Sequence, residues 1–420
     1  MAWADLKSRD SFRMDGNLFH NPLVAKAKLL LRDLACSFLF ASQIYRAVRF
    51  VRDILGHPRT LTIFAYHKIN NDRITGNYIR PHVRGFPVGT FAKEMAYLRK
   101  RHAVICLDDA VKAIENRKRL PRNAVCITFD DGYRDNYTNA YRILRSLRLP
   151  ATFFLTTAFI GCRRPAWQVA LSAYLRLSPL DVLVMESFDE SLERLSEAGR
   201  KALRCRACAL AEGSALLILR RMLKHLGPDD IEEIVDRFMP EPARPDIRLP
   251  LSGPKDRAKA RRCLTEHLRN RPVYERELLL EIMRVRLGLK QAIYVPCGEM
   301  MTWKMVRDMA QSGMSFGAHT CAHPILTRVP RRFVEGEIVR SKRRLETALG
   351  KRVMLFCYPN GREADFDDEI VATLREAGFE AACSMLPGAN TQGSGLFALK
   401  RIGPERNISV FAMKASGFLS

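Results

Sequence analysis

No stretch of this chain is long and apolar enough to read as a bilayer span. Its most apolar early run that carries no charge, Leu34 to Tyr45, falls well short of the ~20 residues a crossing helix requires. That run also lies too far from the start for an ordinary secretion signal, and no A-x-A cleavage site follows it. The expectation is a cytoplasmic protein, peripheral at the membrane if it meets one. The eleven cysteines lack regular spacing, and Cys205 and Cys208 form one C-x-x-C pair with no second to complete a zinc ribbon. A disulfide framework is therefore not expected, and Cys126, Cys357 and Cys383, set in apolar runs, read as small core hydrophobes. Zinc-finger spacing, an RNP-like aromatic block and a Gly-rich basic arm are all missing, which argues against a nucleic-acid partner. Acidic residues are scarce, 45 against 69 Lys and Arg, for a formal net charge of +24. Such an excess attracts anionic lipid or acidic polysaccharide, although a surface solvated by arginine is the plainer reading.

What is present is an alternation of short β-branched runs with helical periodicity. Leu61 to His67, Val104 to Leu107, Ala124 to Ile127 and Ala151 to Thr156 read as strands, separated by helices near residues 90–101, 109–116 and 136–147. Such alternation predicts a parallel sheet or barrel. The pattern then changes to long Arg- and Leu-rich helical stretches, with Pro240 to Pro254 as a connector, before alternation returns at Trp303. The organisation expected is an N-terminal helical segment over 1–58, a first half-domain over 59–162, a helical insertion over 163–296 and a second half-domain over 297–420. The N-terminal segment reads either as a basic helix lying on an anionic membrane surface or as a helix packed on the main domain. The insertion reads as a lid or substrate-handling module, or equally as a structural or partner-binding insert.

Two constellations carry chemistry. Thr128-Phe129-Asp130-Asp131-Gly132-Tyr133 places adjacent carboxylates where a buried strand ends in a turn, and His319 and His323 stand four residues apart behind another strand. Adjacent carboxylates are costly to hold together without a cation, and histidines supply neutral nitrogen ligands. One Asp and two His make a three-donor set for zinc with a position open to water, and the other Asp is then free to act as a base. Either motif alone is more often a solvated turn or an ordinary histidine pair; several ordered blocks together are far more specific.

With these blocks the chain resembles the polysaccharide deacetylases of carbohydrate esterase family four, the NodB-homology family. TFDDGY with Asn136, Ala140 and Leu149-Pro150-Ala151-Thr152-Phe153-Phe154 is similar to that family's first block, His319-Thr-Cys-Ala-His323-Pro to its second, and Phe356-Cys357-Tyr358-Pro359-Asn360-Gly361 to its third in the YPxG form. Phe64-Ala-Tyr-His67 and Phe91 to Leu107 resemble the lead-in of the exopolysaccharide branch. The resemblance covers roughly residues 60–162 and 297–405. It implies a distorted (β/α) barrel of the NodB type interrupted by the helical insertion. It also implies a hydrolase removing N-acetyl, or O-acetyl, groups from N-acetylhexosamine-containing polysaccharide, oligosaccharide or lipid-linked glycan. By the same resemblance, Asp131, His319 and His323 hold one divalent metal, zinc first, with cobalt or nickel as alternatives. Asp130 is then the base, His67 the acid, and Tyr358, Pro359 and Asn360 the oxyanion and substrate side. The alternative is a catalytically weak glycan-binding or scaffold protein of the same fold.

Two departures from the family stand out. Cys357 occupies the place where many members have an arginine that orients the base, and no histidine follows His323, so the late Leu-x-x-His block that usually carries the acid is missing.

Overall fold

The computed structural model describes residues 22–45, 59–71, 85–161, 167–205, 247–269, 273–289 and 300–419, with a few single positions between. The expected helix beyond residue 205 and the helix start at Pro228 lie outside the described residues. The chain divides into two units, residues 1–57 with 405–419, and residues 58–404.

In the first unit, α1 (Pro22–Ser42) lies along α12 (Ile408–Ala415) and buries Cys36. Arg32 and Lys414 both pair with Glu405, at 3.4 and 2.7 Å. Leu30, Leu31, Leu34 and Phe38 stay exposed. Among the described residues no helix is long and apolar enough to cross a membrane.

The second unit opens with β1 (Leu61–Tyr66), α2 (Val88–Arg101), β2 (Ala103–Val104), α3 (Leu107–Glu115), β3 (Ala124–Phe129), α4 (Arg142–Leu147) and β4 (Thr152–Leu155). A π-turn at Asn136–Tyr141 leads into α4. After residue 166 come α5 (Trp167–Leu177), β5 (Val182–Met185), α6 (Phe188–Cys205), β6 (Ile247–Pro250), α7 (Pro254–Arg269) and α8 (Val273–Arg286). The last part carries α9 (Trp303–Gln311), β7 (Ser315–Ala318), α10 (Arg331–Leu349), β8 (Leu355–Cys357), α11 (Asp368–Glu376) and β9 (Ala381–Cys383). Local chemistry sets several of these ends. The Thr302 hydroxyl accepts from the Met305 N–H to cap α9, and α10 stops at Gly350 in the left-handed region, φ 65°.

The main sheet is parallel, in the order β1-β3-β4-β7-β8-β9, with β2 beside the first half of β3. Residues Leu399 to Ile402, expected as a last strand, instead make isolated parallel bridges, Leu399 to Cys383 and Ile402 to Phe64. They link β9 to β1 and draw the sheet toward the expected barrel. Period-2 alternation then sorts the faces. Ile63, Cys126, Leu355, Cys357 and Cys383 pack in one core with Leu107, Ala110 and Ile114 of α3. Tyr66, Phe129, Phe153 and Phe316 form a run of neighbouring rings on the other face, Phe129 stacked on Phe153 at 4.7 Å.

The described residues between Trp167 and Leu287 build a separate apolar cluster around Leu171, Leu183, Leu264, Leu279 and Met283. This part is not purely helical. Val182–Met185 pairs antiparallel with Ile247–Pro250, so the stretch read as a Pro-rich connector contains a strand. Its apolar positions are too few and too short to reveal a strand until a partner is in place.

Candidate functional site

Four parallel strands, two adjacent pairs with β4 between them, end on the singled-out residues: β1 leads to His67, β3 to Asp130 and Asp131, β7 to His319, and β8 to Tyr358. Carboxyl ends of parallel strands are where such folds gather side chains. Because side chains alternate, Ala124 and Cys126 face the α3 core, and Thr128 and Asp130 continue the same row to the strand's end.

Asp130 is 2% exposed and held by a guanidinium that belongs to none of the sequence blocks. Arg401 donates from Nη1 to Oδ1 and from Nη2 to Oδ2, both at 2.8 Å. The same side chain donates to Thr128 Oγ1 at 3.1 Å, to the Ser384 carbonyl at 2.9 Å and toward Cys357 Sγ at 2.9 Å. Burial by itself would raise the Asp130 carboxyl. The Arg401 charge and its two hydrogen bonds, aided by His319 and His67, hold it well below the usual carboxylate range. Cys357, where the family often has arginine, is thus one wall of a pocket whose arginine arrives from the closing segment 44 residues on. Burial first of all holds the Cys357 thiol well above its ordinary value, so it stays protonated.

Asp131 turns the other way. Its φ is 72°, in the left-handed region where aspartate is better tolerated than most residues. Gly132 follows at φ 87°, and a Cβ there would come within 2.7 Å of the Ile160 side chain. Asp131 Oδ1 lies 3.6 Å from His319 Nε2 and 3.4 Å from His323 Nε2. His319 is buried, and its Nδ1 sits 2.7 Å from the Cys357 carbonyl, so Nδ1–H donates there and Nε2 is the nitrogen that faces Asp131. His323 is half-buried. Burial pushes its pKa down to about 4 against the opposing pull of Asp131, so the ring is neutral at physiological pH. Both Thr320 and His323 adopt positive φ, 63° and 59°. That strained loop is tied down by the Glu337 carboxylate, which accepts from the Cys321 and Ala322 N–H groups at 2.9 Å each, and by Thr320 Oγ1, which accepts from His323 N–H.

Among the described residues two donor groups are compact enough for a cation: Asp131, His319 and His323, and Asp130, His319 and Cys357. The second includes Asp130 and Cys357, both already facing the Arg401 guanidinium, which repels a cation. The first contains one carboxylate and two imidazoles with Nε2 turned toward it, and this chemistry fits a divalent metal.

His67 is about a third exposed, its Nε2 3.9 Å from Asp130 Oδ2. Of the third block, Tyr358 is engaged on both of its polar groups: its N–H donates to Cys383 O at 3.1 Å and its hydroxyl to Phe397 O at 3.0 Å. The ring stacks on Phe366 at 4.2 Å. In the turn that follows, Asn360 at φ 62° carries an N–H with no acceptor among the described residues, next to Pro359.

The insertion also reaches this region. Arg276 of α8, fully buried with its guanidinium 4.9 Å over the Trp167 ring, donates to the Ala322 carbonyl at 2.8 Å. Nothing in the sequence distinguishes it from the other arginines. Arg401 did leave a trace, as a charged residue between Leu399 and Ile402 in a short strand-like run, on the opposite pleat from exposed Lys400.

A family model described as polysaccharide deacetylase matches residues 117–199 and 281–382. YxkH of Bacillus subtilis, by name a candidate polysaccharide deacetylase, is 32% identical over 105 residues, 25% of this chain and 34% of that protein. A poly-beta-1,6-N-acetyl-D-glucosamine N-deacetylase of Staphylococcus aureus is 25% identical over 103 residues, 23% of this chain and 36% of that protein. The chain therefore spans about a third of the length of the curated relatives it matches. Among solved structures, the Streptococcus pyogenes deacetylase PplD in complex with acetate aligns with a TM-score of 0.47 at 15% identity, over 86% of this chain and 99% of that one.

Proposed function

The chain belongs to the polysaccharide deacetylase family, and from that premise we propose that it is a metal-dependent hydrolase removing acetyl groups from the nitrogen of N-acetylhexosamine units in a polysaccharide, oligosaccharide or lipid-linked glycan. One observation carries the reading: a buried carboxylate kept ionised by Arg401 adjoins a second that stands 3.4 and 3.6 Å from two imidazole nitrogens. Asp131, His319 and His323 hold the metal, zinc first, with cobalt and nickel suited to the same donors.

Amide hydrolysis needs an activated water, a place for the oxyanion and a proton for a poor leaving amine. Asp130 takes the proton from water as general base. A carboxylate held below its ordinary range is a weak base, so the water must be acidic. A bound divalent cation supplies that acidity and polarises the acetyl carbonyl. The Asn360 N–H, without an acceptor among the described residues, is the donor in the third block suited to the developing oxyanion, whereas the N–H and hydroxyl of Tyr358 already serve the barrel wall. His67 gives the proton to the departing nitrogen from the solvent side; its Nε2 stands 3.9 Å from Asp130 Oδ2, so a proton passes between them only through a bridging water.

The test is acetate release from N-acetylglucosamine oligomers and from a small acetyl ester, with His67→Gln beside the wild type. Replacement of His67 lowers kcat on the amide by about 10²–10⁴-fold. An ester leaves without protonation more readily, so its hydrolysis falls less. Equal losses on both substrates remove His67 from the role of acid, and absence of acetate release from either by metal-loaded wild type sinks the hydrolase reading in favour of the glycan-binding alternative.

A further inference from the structure

On the outer side of the barrel, α9 and α10 enclose a cleft of about 540 Å³ lined by Trp303, Arg307, Arg340, Arg343 and Arg344. Its chemistry is one-sided. All four arginines are exposed, and none makes an ion pair among the described residues; Arg340 donates only to the Gly336 carbonyl, one turn back. Neighbouring carboxylates are engaged elsewhere. Asp308 pairs with Lys304 at 3.0 Å, Glu346 with Lys342 at 3.1 Å, and Glu337 caps the histidine loop. Four guanidiniums without an ion pair among the described residues, Arg340 alone feeling the Glu337 charge one turn back, repel each other around one concavity until an anion arrives, and their planar forks match carboxylates in two-point contacts. The half-buried indole of Trp303, with Arg344 at 5.9 Å over its ring, adds an aromatic wall of the kind that packs against a flat, partly apolar ring.

Both walls are also tied to the site. Met301, two residues before Trp303, donates to the Gly132 carbonyl at 2.9 Å and accepts from Gly161, next to the Asp131 turn. Glu337, on the turn of α10 before Arg340, holds the loop between His319 and His323.

We infer that this cleft is a subsite for acidic sugar residues, so that the glycan handled here carries carboxylates beside its acetylated amines. Trp303 packs on a sugar ring, and Arg340, Arg343 and Arg344 hold the carboxylates. The inference rests on the deacetylase reading only in taking the ligand to be a glycan.

The test is calorimetric binding of oligogalacturonate, of the same oligomer with its carboxyls methyl-esterified, and of phosphatidylglycerol vesicles. Wild type, the double variant Arg340→Glu/Arg343→Glu and Asp130→Asn are compared. Wild type and Asp130→Asn bind the free acid at least about tenfold more tightly than the ester, and the charge reversal removes that preference. A Trp303→Leu variant weakens the free acid and the ester alike. Equal affinity for acid and ester, or binding unchanged by the charge reversal, overturns the proposal, as does a preference for vesicles that depends on the same arginines. No turnover enters these readings, so an inactive protein that still binds the free acid through the cleft keeps the subsite and loses only the hydrolase.

Discussion

Arg401→Met leaves a folded protein with full metal content, less stable by the ~3–5 kcal/mol typical when one partner of a buried ion pair is removed, and a kcat lower by about 10²–10³-fold, or ~2.7–4.1 kcal/mol of barrier. The reason is geometric before it is electrostatic. Two hydrogen bonds of 2.8 Å fix both oxygens of Asp130, and without them a buried carboxylate faces only Thr128, Cys357 and the imidazoles. Burial is then opposed only by His319 and His67, and the carboxyl rises relative to the wild type. The activity of the variant therefore fades as pH drops through a range where the wild type is still active. Stability carries the same signature. In the wild type the folded-state value is depressed, so Asp130 contributes stability that is fully present above its unfolded value, about 3.9, and lost as pH falls toward its lower folded value. The gap between wild type and variant in urea unfolding is accordingly widest near neutral pH and narrows in acid. Arg401→Lys recovers part of the loss through charge alone, because an ammonium cannot make the two-point contact. A gap that stays constant with pH would leave Arg401 a mere packing residue.

The second large effect separates the two donor groups. His323→Ala abolishes metal binding and with it acetate release, to below about 10⁻³ of wild type, because the remaining pair cannot complete a three-donor site. Cys357→Ser keeps its metal, since that sulfur faces Arg401 and belongs to the group a cation avoids. Chelation of the wild type lowers its unfolding midpoint and zinc restores it, the shift growing with zinc concentration as linkage requires, about 2.7 kcal/mol at a hundredfold excess over Kd. In His323→Ala that response disappears. The reverse pattern, metal lost in Cys357→Ser and kept in His323→Ala, would move the cation to Asp130.

The parts of the site that could be read from the sequence are those carried by strand ends. Asp130, Asp131, His319 and His323 each sit within a few residues of a short apolar run, and those runs become β3 and β7, with the Thr302 cap and the Gly350 stop also where local chemistry puts them. What could not be read depends on partners far away in the chain. Arg401 finds Asp130 across 271 residues, from a segment too short to pair as a regular strand, and Arg276 reaches Ala322 from within the insertion. Neither is marked by periodicity, because a buried arginine looks like a surface one until its partner is known. The positive φ at Asp131, Thr320 and His323 is likewise invisible in sequence, since none of them is glycine. The strand Ile247–Pro250 stayed hidden behind its prolines, and Tyr358, expected on the substrate side, has both polar groups bonded within the barrel wall.

Adjacent aspartates with different duties are the centre of this account, and one side-by-side measurement reaches it: bound metal and acetate release for Asp130→Asn and Asp131→Asn. The expected result is that Asp130→Asn retains the wild-type metal stoichiometry while its acetate release falls by about 10³-fold or more, and that Asp131→Asn loses both metal and activity. Substantial activity in metal-loaded Asp130→Asn, or metal lost there and kept in Asp131→Asn, would contradict it.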